Sequence, residues 1–434
     1  MKTNMKILHI NAIEILDSRG NPTLKATIML EDGSSGEFSV PSGASTGIHE
    51  AHELRDNDEH RYHKKGVLQA VENIKNLREE LYKRSFTQHS LDEFLISRDG
   101  TPNKNALGAN AILAISVAFA KACAQYHNLE LFEYLHRLYH NLSLKTKTQK
   151  CSHTPLLFSN IINGGEHADN DLMIQECMII CSSRNIQESV RKTSEVYHTL
   201  KSLIKEQYGA GSTGLGDEGG FAPNVKNPSD AFKIITQALE KHNYTNDFVF
   251  AIDAAASEFY DKISNSYEIE KGKKIKSKEF IEYYKTLINE YPLVSIEDAF
   301  SEDDFTGFSQ FQKMISSIKP QSNIFSTMLG VGDDLLVTNP QRIQMAIDKK
   351  LCNALLLKIN QIGTLTESFQ AAKMAQEQEW SVIVSHRSGE TPDSFISDLA
   401  VAIGAEIKLG APARGERVAK YNRLLEICTR IEEM

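Results

Sequence analysis

Five short apolar runs in this chain each stop on an ionisable residue, and that recurrence limits the folds open to it. Ala354-Leu355-Leu356-Leu357 ends on Lys358. Phe248-Val249-Phe250-Ala251-Ile252 ends on Asp253, and Pro292-Leu293-Val294-Ser295-Ile296 ends on Glu297 and Asp298. Met328-Leu329-Gly330-Val331-Gly332 ends on Asp333 and Asp334, and Ser381-Val382-Ile383-Val384-Ser385 ends on His386 and Arg387. Three leucines in a row suit a strand buried on both faces, as in a parallel sheet. A single lysine at such a strand's end reads as a snorkelling side chain or a polar edge. Repeated with helical sequence between, the pattern is that of a βα barrel, whose functional groups sit at the C-terminal ends of the strands.

At 434 residues the chain exceeds one typical core, so two domains are expected. We place an N-terminal α+β domain at residues 1–140, a polar linker rich in Lys, Ser and Thr at 141–154, and the barrel at 155–434. A net charge of -9 argues against general nucleic-acid binding but leaves room for a local basic cluster around an anionic ligand. No run of about eighteen apolar residues predicts a membrane span, and Met1–Lys6 lacks the apolar core of a secretory signal. The six cysteines are scattered with no CxxC, so no zinc site is indicated, and a reducing, cytoplasmic setting is expected.

Residues 6–40 read as antiparallel strands turning at Glu31-Asp32-Gly33. Asp17–Thr23 reads as a loop, and Pro41–Gly47, with two glycines among small residues, as a lid. Helices are predicted over 66–83 and 106–139, then at Ile186–Tyr208, Asp230–His242, Lys278–Glu290, Pro340–Lys349, Thr366–Gln378 and Pro392–Gly404. Ser316–Ser326 is expected to be a surface insertion.

Asp253, Glu297 and Asp333 stand on three strand ends; converging on one mouth, they would repel unless a cation lay between them. Oxygen-only ligands suit Mg²⁺, whereas singly each acid reads as a solvated loop carboxylate. Glu218, among the glycines of Gly214–Asn224, is either brought close to a substrate or exposed on a turn. His167 lies in a glycine turn and is weak alone; Gln175 and Glu176 open a short apolar strand. Ser385–Thr391 combines hydroxyls, a guanidinium and backbone amides, a set that recognises phosphate, and Lys408 ends a further strand. Two lysines, an arginine and three metal-binding acids imply an anionic substrate with several negative groups, and a small phosphorylated carboxylate would fit.

The chain resembles the enolase family in nine segments that run in family order: DSRGNPT (Asp17–Thr23), SGASTG (Ser42–Gly47), NGGEHADN (Asn163–Asn170), GDEGGFAPN (Gly216–Asn224), SIED (Ser295–Asp298), GDDL (Gly332–Leu335), LKINQIGT (Leu357–Thr364), SHRSGET (Ser385–Thr391) and APAR (Ala411–Arg414). The resemblance implies a modified (β/α)8 barrel with an N-terminal α+β capping domain, interconverting 2-phospho-D-glycerate with phosphoenolpyruvate and water on two Mg²⁺. It implies Asp253, Glu297 and Asp333 as ligands of the tighter metal and Ser42 as a ligand of the second. Lys358 would be the general base and Glu218 the general acid, with His167 and Glu176 in support. Gln175, His386, Arg387, Ser388 and Lys408 would contact the substrate. For this chemistry Lys358 must be neutral, its pKa lowered by Mg²⁺ and Lys408, and Glu218 must be protonated. The resemblance further implies a cytoplasmic homodimer or homo-octamer; it is compatible with a secondary cell-surface or secreted pool, which nothing in this sequence supports. The chain departs from the family pattern at Ala12, Ile13, Lys64, Ala299 and Ala405–Gly410, the last segment carrying Lys408.

Overall fold

The structure, a computed structural model, describes residues 4–43, 47, 49–142 and 152–433. Most of the 141–154 linker and the tip of the 41–47 loop lie outside the described residues. The chain opens with β1 (Met5–Leu16), β2 (Pro22–Leu30) and β3 (Ser35–Ser39), with β4 (Ser85–Phe86) on the far edge, in the order β3-β2-β1-β4. In β2 buried and half-buried residues alternate, so Leu24, Ala26, Ile28 and Leu30 share the inner face. Across that face lies the helix Ala109–Tyr126, whose alanines let it approach closely. A Cβ on Gly36 of β3 would meet the Ala118 carbonyl oxygen at 2.2 Å, so only glycine fits there. This helix is long and apolar enough to cross a membrane, but 83% of it is buried inside the protein, as befits a core helix.

The helical stretch predicted over 106–139 divides into Ala109–Tyr126 and Leu131–Tyr139, because Asn128 adopts a left-handed conformation (φ 50°). The stretch 66–83 narrows to Leu68–Asn76 and Arg78–Leu81. The helix Gln88–Asp99, capped by reciprocal Thr87 and Ser90 hydrogen bonds, was not anticipated; it carries no clear apolar stripe.

The second half closes into a barrel. Its strands are β5 (Leu157–Asn163), β6 (Glu176–Cys181), β7 (Phe248–Asp253), then, after a small sheet of β8 (Tyr260–Asp261), β9 (Ser266–Glu270) and β10 (Lys273–Ile275), β11 (Leu293–Glu297), β12 (Leu329–Gly332), β13 (Ala354–Leu357), β14 (Ser381–Ser385) and β15 (Glu406–Lys408). β6 runs antiparallel to both β5 and β7; every other neighbouring pair in the barrel is parallel. The barrel interior holds Phe158, Met178, Ile180, Val249, Ala251, Val294, Leu329, Val331, Leu356 and Ile383. Alternate residues of the strands point outward and pack on the helices. Phe325 joins the interior cluster, its ring 6.1 Å from that of Phe158. The segment 316–326 therefore does more than decorate the surface: it contributes an aromatic ring to the barrel's filling.

The N-terminal domain rests on the mouth of the barrel. Ser42 and Gly389 exchange backbone hydrogen bonds of 2.7 and 2.9 Å, and the ion pairs Lys121–Asp393 and Lys104–Glu367 flank them. Truncating the barrel interior with Leu356→Ala should cost about 2–5 kcal/mol of stability in chemical denaturation. Ile263→Ala, at a residue that is 99% exposed, should stay within about 0.5 kcal/mol.

Candidate functional site

Strand register assembles the site. β6 runs against its neighbours, so its first residue, rather than its last, faces the mouth. Glu176 pairs with Asp253 on one side of the ladder, and Asp253 pairs with Glu297 on the other. Three carboxylates thus stand in a row across β6, β7 and β11, all nearly inaccessible to water. Lys408, from the end of β15, reaches that row. Its Nζ lies 2.9 Å from both Glu297 oxygens, 3.2 Å from Asp253 Oδ2 and 3.1 Å from Glu176 Oε2. Burial opposes the charge, but Glu176, Glu297 and Asp253 hold the Lys408 ammonium well above the ordinary lysine range. Burial and then Asp253 push Glu297 well above the carboxylate range.

Lys358 follows β13 and pairs with Asp333. Gln361 donates to the other Asp333 oxygen at 2.9 Å, and Thr338 holds both the Gln361 side chain (2.8 Å) and the Lys358 backbone N–H (3.0 Å). Burial works against a charged Lys358, yet Asp333 keeps its pKa above the ordinary value. Arg387 and Lys408 push it down, as expected of the neighbours of a general base, but Asp333 outweighs them. Asp298, held at φ 41°, accepts the backbone N–H groups of Asp333 and Asp334 at 2.9 and 2.7 Å and so shapes the turn after β12. Burial, then Asp333, push the Asp298 carboxyl up to about 8.

Glu218 enters from the glycine-rich loop. Its Oε2 accepts from Asn160 Nδ2 at 2.8 Å; its Oε1 lies 3.4 Å from His386 Nε2 and 3.6 Å from His167 Nδ1. Although burial disfavours its charge, His386 and then His167 hold Glu218 well below the carboxylate range. Burial and then Glu218 push the adjacent Glu176 well above it. These neighbours favour a charged Glu218 and an uncharged Glu176, the reverse of the protonated Glu218 expected from the sequence. A Cβ on Gly410, at φ 77°, would stand 2.6 Å from the Glu218 carbonyl oxygen and 2.9 Å from His386 Cε1, so this glycine leaves room for both.

Arg387 follows β14. Glu50 holds its guanidinium by two bonds of 3.1 and 3.2 Å, and the Asn360 side chain adds a third at 3.2 Å. Glu50 also accepts the Gly47 N–H at 3.1 Å, which ties the end of the 41–47 loop to Arg387.

One cavity is lined by His167, Gln175, Glu176, Glu218, Asp253, Asp333, Lys358, His386, Arg387, Ser388 and Lys408, all singled out in the sequence, and by Asp298 and Asp334. Glu297 lies directly behind, at Lys408. Ser42 is elsewhere: its hydroxyl donates to Asp17 at 2.7 Å and it does not line the cavity. Asp17, read as part of a plain loop, is thereby a buried anchor for the 41–47 segment. Glu50, Asn160, Gln361 and Arg417 were missed. Glu50, Asn160 and Arg417 belong to no motif, and Gln361, inside LKINQIGT, drew no attention as an uncharged amide.

The donor set suits a hard divalent cation. Acids outnumber cations around the cavity, and two groups of ligand atoms, His167/Glu176/Glu218 and Asp298/Asp333/Asp334, could each hold an ion. The set expected from the sequence, Asp253, Glu297 and Asp333, is not one of these groups: Lys408 holds Asp253 and Glu297, and Lys358 holds Asp333, so both lysines must give way before those acids take a metal. Gln175 Oε1 is buried with no hydrogen-bond partner among the described residues, an acceptor left for a cation or a ligand hydroxyl.

A barrel whose mouth gathers buried carboxylates, two lysines and an arginine around one small cavity defines a barrel enzyme acting on a compact anion with metal assistance. Family models described as "Enolase, N-terminal domain" and "Enolase, C-terminal TIM barrel domain" match residues 7–135 and 152–434. An enolase of Methanocaldococcus jannaschii is 47% identical over 98% of this chain and 96% of its own length. Enolase 1 of Entamoeba histolytica is 45% identical over 98% of this chain and 96% of its own length. An enolase of Corynebacterium kroppenstedtii is 46% identical over 97% of this chain and 95% of its own length. The chain belongs to the enolase family.

Gly410→Ala should lower the thermal midpoint by the equivalent of about 1–3 kcal/mol, since backbone strain and the Glu218 carbonyl both resist the added methyl; an unchanged midpoint would contradict the packing described.

Proposed function

We propose that this chain reversibly dehydrates 2-phospho-D-glycerate to phosphoenolpyruvate and water, with Lys358 as general base and Glu218 as general acid. The observation that carries the reading is the row Glu176–Asp253–Glu297, gripped by the buried Lys408, with the half-buried Lys358 beside it at one cavity. Asp253, Glu297 and Asp333 would hold a Mg²⁺, and Ser42, on exchanging its Asp17 partner, would contribute to a second. When bound, Mg²⁺ supplies positive charge for the substrate carboxylate, whose anionic character grows as the proton beside it leaves.

The remaining steps fall to the chain's own groups. Arg387 and Ser388 receive the phosphate, with Arg387 offering a planar fork for its oxygens. Glu50 must yield that fork, so phosphate entry and the 41–47 loop are linked through one carboxylate. Lys358 takes the C2 proton once Asp333 no longer holds it as an ammonium. Lys408 faces the carboxylate as its second charge develops, an electrostatic contribution made larger by burial. A proton passes from Glu176, which burial and Glu218 favour in its uncharged form, through Glu218 to the departing C3 hydroxyl, which leaves as water. Gln175, His167 and His386 line the cavity around these atoms. In the cell we place the enzyme in the cytoplasm as a homodimer or homo-octamer; the unpaired thiols of Cys123, Cys177, Cys181, Cys352 and Cys428 support a reducing compartment.

Purified protein given 2-phosphoglycerate and Mg²⁺ should develop the absorbance of phosphoenolpyruvate, and excess chelator should stop it. Lys358→Ala should lower kcat by about 100- to 10,000-fold while Mg²⁺ binding by calorimetry survives; near-normal turnover would remove Lys358 from the role of base. Because burial and Asp253 raise the Glu297 pKa and a ligand must be ionised, Mg²⁺ affinity should be tighter at about pH 8 than at about pH 6, with proton release on binding. A pH-independent affinity would exclude Glu297 as a ligand.

A further inference from the structure

Arg417 lies in the last helix, Gly415–Glu433, and its side chain is fully buried beneath the site. Its Nη1 stands 2.8 Å from His386 Nδ1. A guanidinium has hydrogen-bond donors and no acceptor, so His386 Nδ1 must present its lone pair. The ring proton is then on Nε2, the nitrogen 3.4 Å from Glu218 Oε1. An imidazolium, or the opposite tautomer, would set two N–H groups against each other.

We propose that Arg417 is a positioning residue: it locks His386 as the neutral tautomer protonated on Nε2, so that this N–H is presented to Glu218 and to the oxygen that leaves the substrate. The guanidinium is itself immobilised. Nη1 also donates to the Arg387 carbonyl at 2.7 Å, and Nη2 donates to the carbonyls of Ser388 at 2.9 Å and Asp217 at 3.2 Å. One side chain therefore fixes the ring and the two loops that carry Glu218, Arg387 and Ser388. A Cβ on Gly410 would stand 2.9 Å from Cε1, so only glycine leaves the ring its place there. The charged groups facing His386 are Glu218, Arg417 and Lys408; burial leads in pushing the ring down to about 4, Glu218 opposes, and Arg417 adds to the push. A lysine at 417 has a single nitrogen and could not serve the ring and three carbonyls together.

The inference rests on the dehydration reading for its kinetic arm only. Full-length protein labelled with ¹⁵N-histidine is examined by NMR, with His386 identified by the signals lost in His386→Gln. The wild-type ring should be neutral, unprotonated at Nδ1 and protonated at Nε2. In Arg417→Lys the ring should sample both tautomers, and kcat should fall about tenfold or more with KM within about twofold. A wild-type ring protonated at Nδ1, or at both nitrogens, overturns the proposal whether or not any variant folds. A loss of kcat in Arg417→Lys with the tautomer unchanged also overturns it, because Arg417 would then only brace the loops; so does an unchanged kcat. Should the wild type show the Nε2-protonated ring but no dehydration, the tautomer assignment is upheld and the functional reading is what fails.

Discussion

The site depends on one buried ammonium. Lys408 sits among Glu176, Asp253 and Glu297, groups that could not share so small a volume without a cation, because burying a lone charge is far more expensive than burying a paired one. The carboxylates come from three adjacent strands, and the lysine comes from a strand that is not their neighbour. The attraction therefore runs across the mouth and pulls opposite walls of the barrel toward a common point. The pKa directions of Glu297, Glu176 and Lys408 all follow from this arrangement.

A second network ties the N-terminal domain to the chemistry. Glu50 binds Arg387, and Gln361 donates to both Glu50 (3.4 Å) and Asp333 (2.9 Å). Asp333 in turn holds Lys358. The 41–47 loop, the phosphate-binding arginine, a metal-binding acid and the base are thus joined by a handful of hydrogen bonds. A change of partner at any one of them is felt by the others, which is how charge-assisted networks behave when water is excluded.

Much of this was legible in the sequence, because local patterns and strand register speak the same language there. The run Ala354–Leu357 before Lys358 is a strand with those bounds, and Ile186–Tyr208 and Pro340–Lys349 are helices as read. Clear caps or prolines marked their ends. The helix Gln88–Asp99 was invisible because its apolar residues form no clear stripe, and the small β8–β10 sheet because its strands are too short to show a period. In the site, residues that announce themselves by charge at a strand end were found. Those whose part is to hold another group were not: Asn160 and Arg417 act through contacts between segments 58 and 31 residues apart. The direction of the shift at Glu218 also escaped, since a pKa is set by neighbours in space.

The reversed strand β6 sets a limit on how this barrel could be recombined. Uniform βα barrels present the same parallel ladder at every seam, so pieces of one can in principle be spliced to pieces of another. Here both edges of β6 carry the antiparallel bonding pattern, in which bonds are spaced differently along the strand. A fragment that includes β6 can join a foreign barrel only if it brings β5 and β7 with it. The first three strands of the barrel are accordingly one inheritable block, and the remaining five are the part open to exchange.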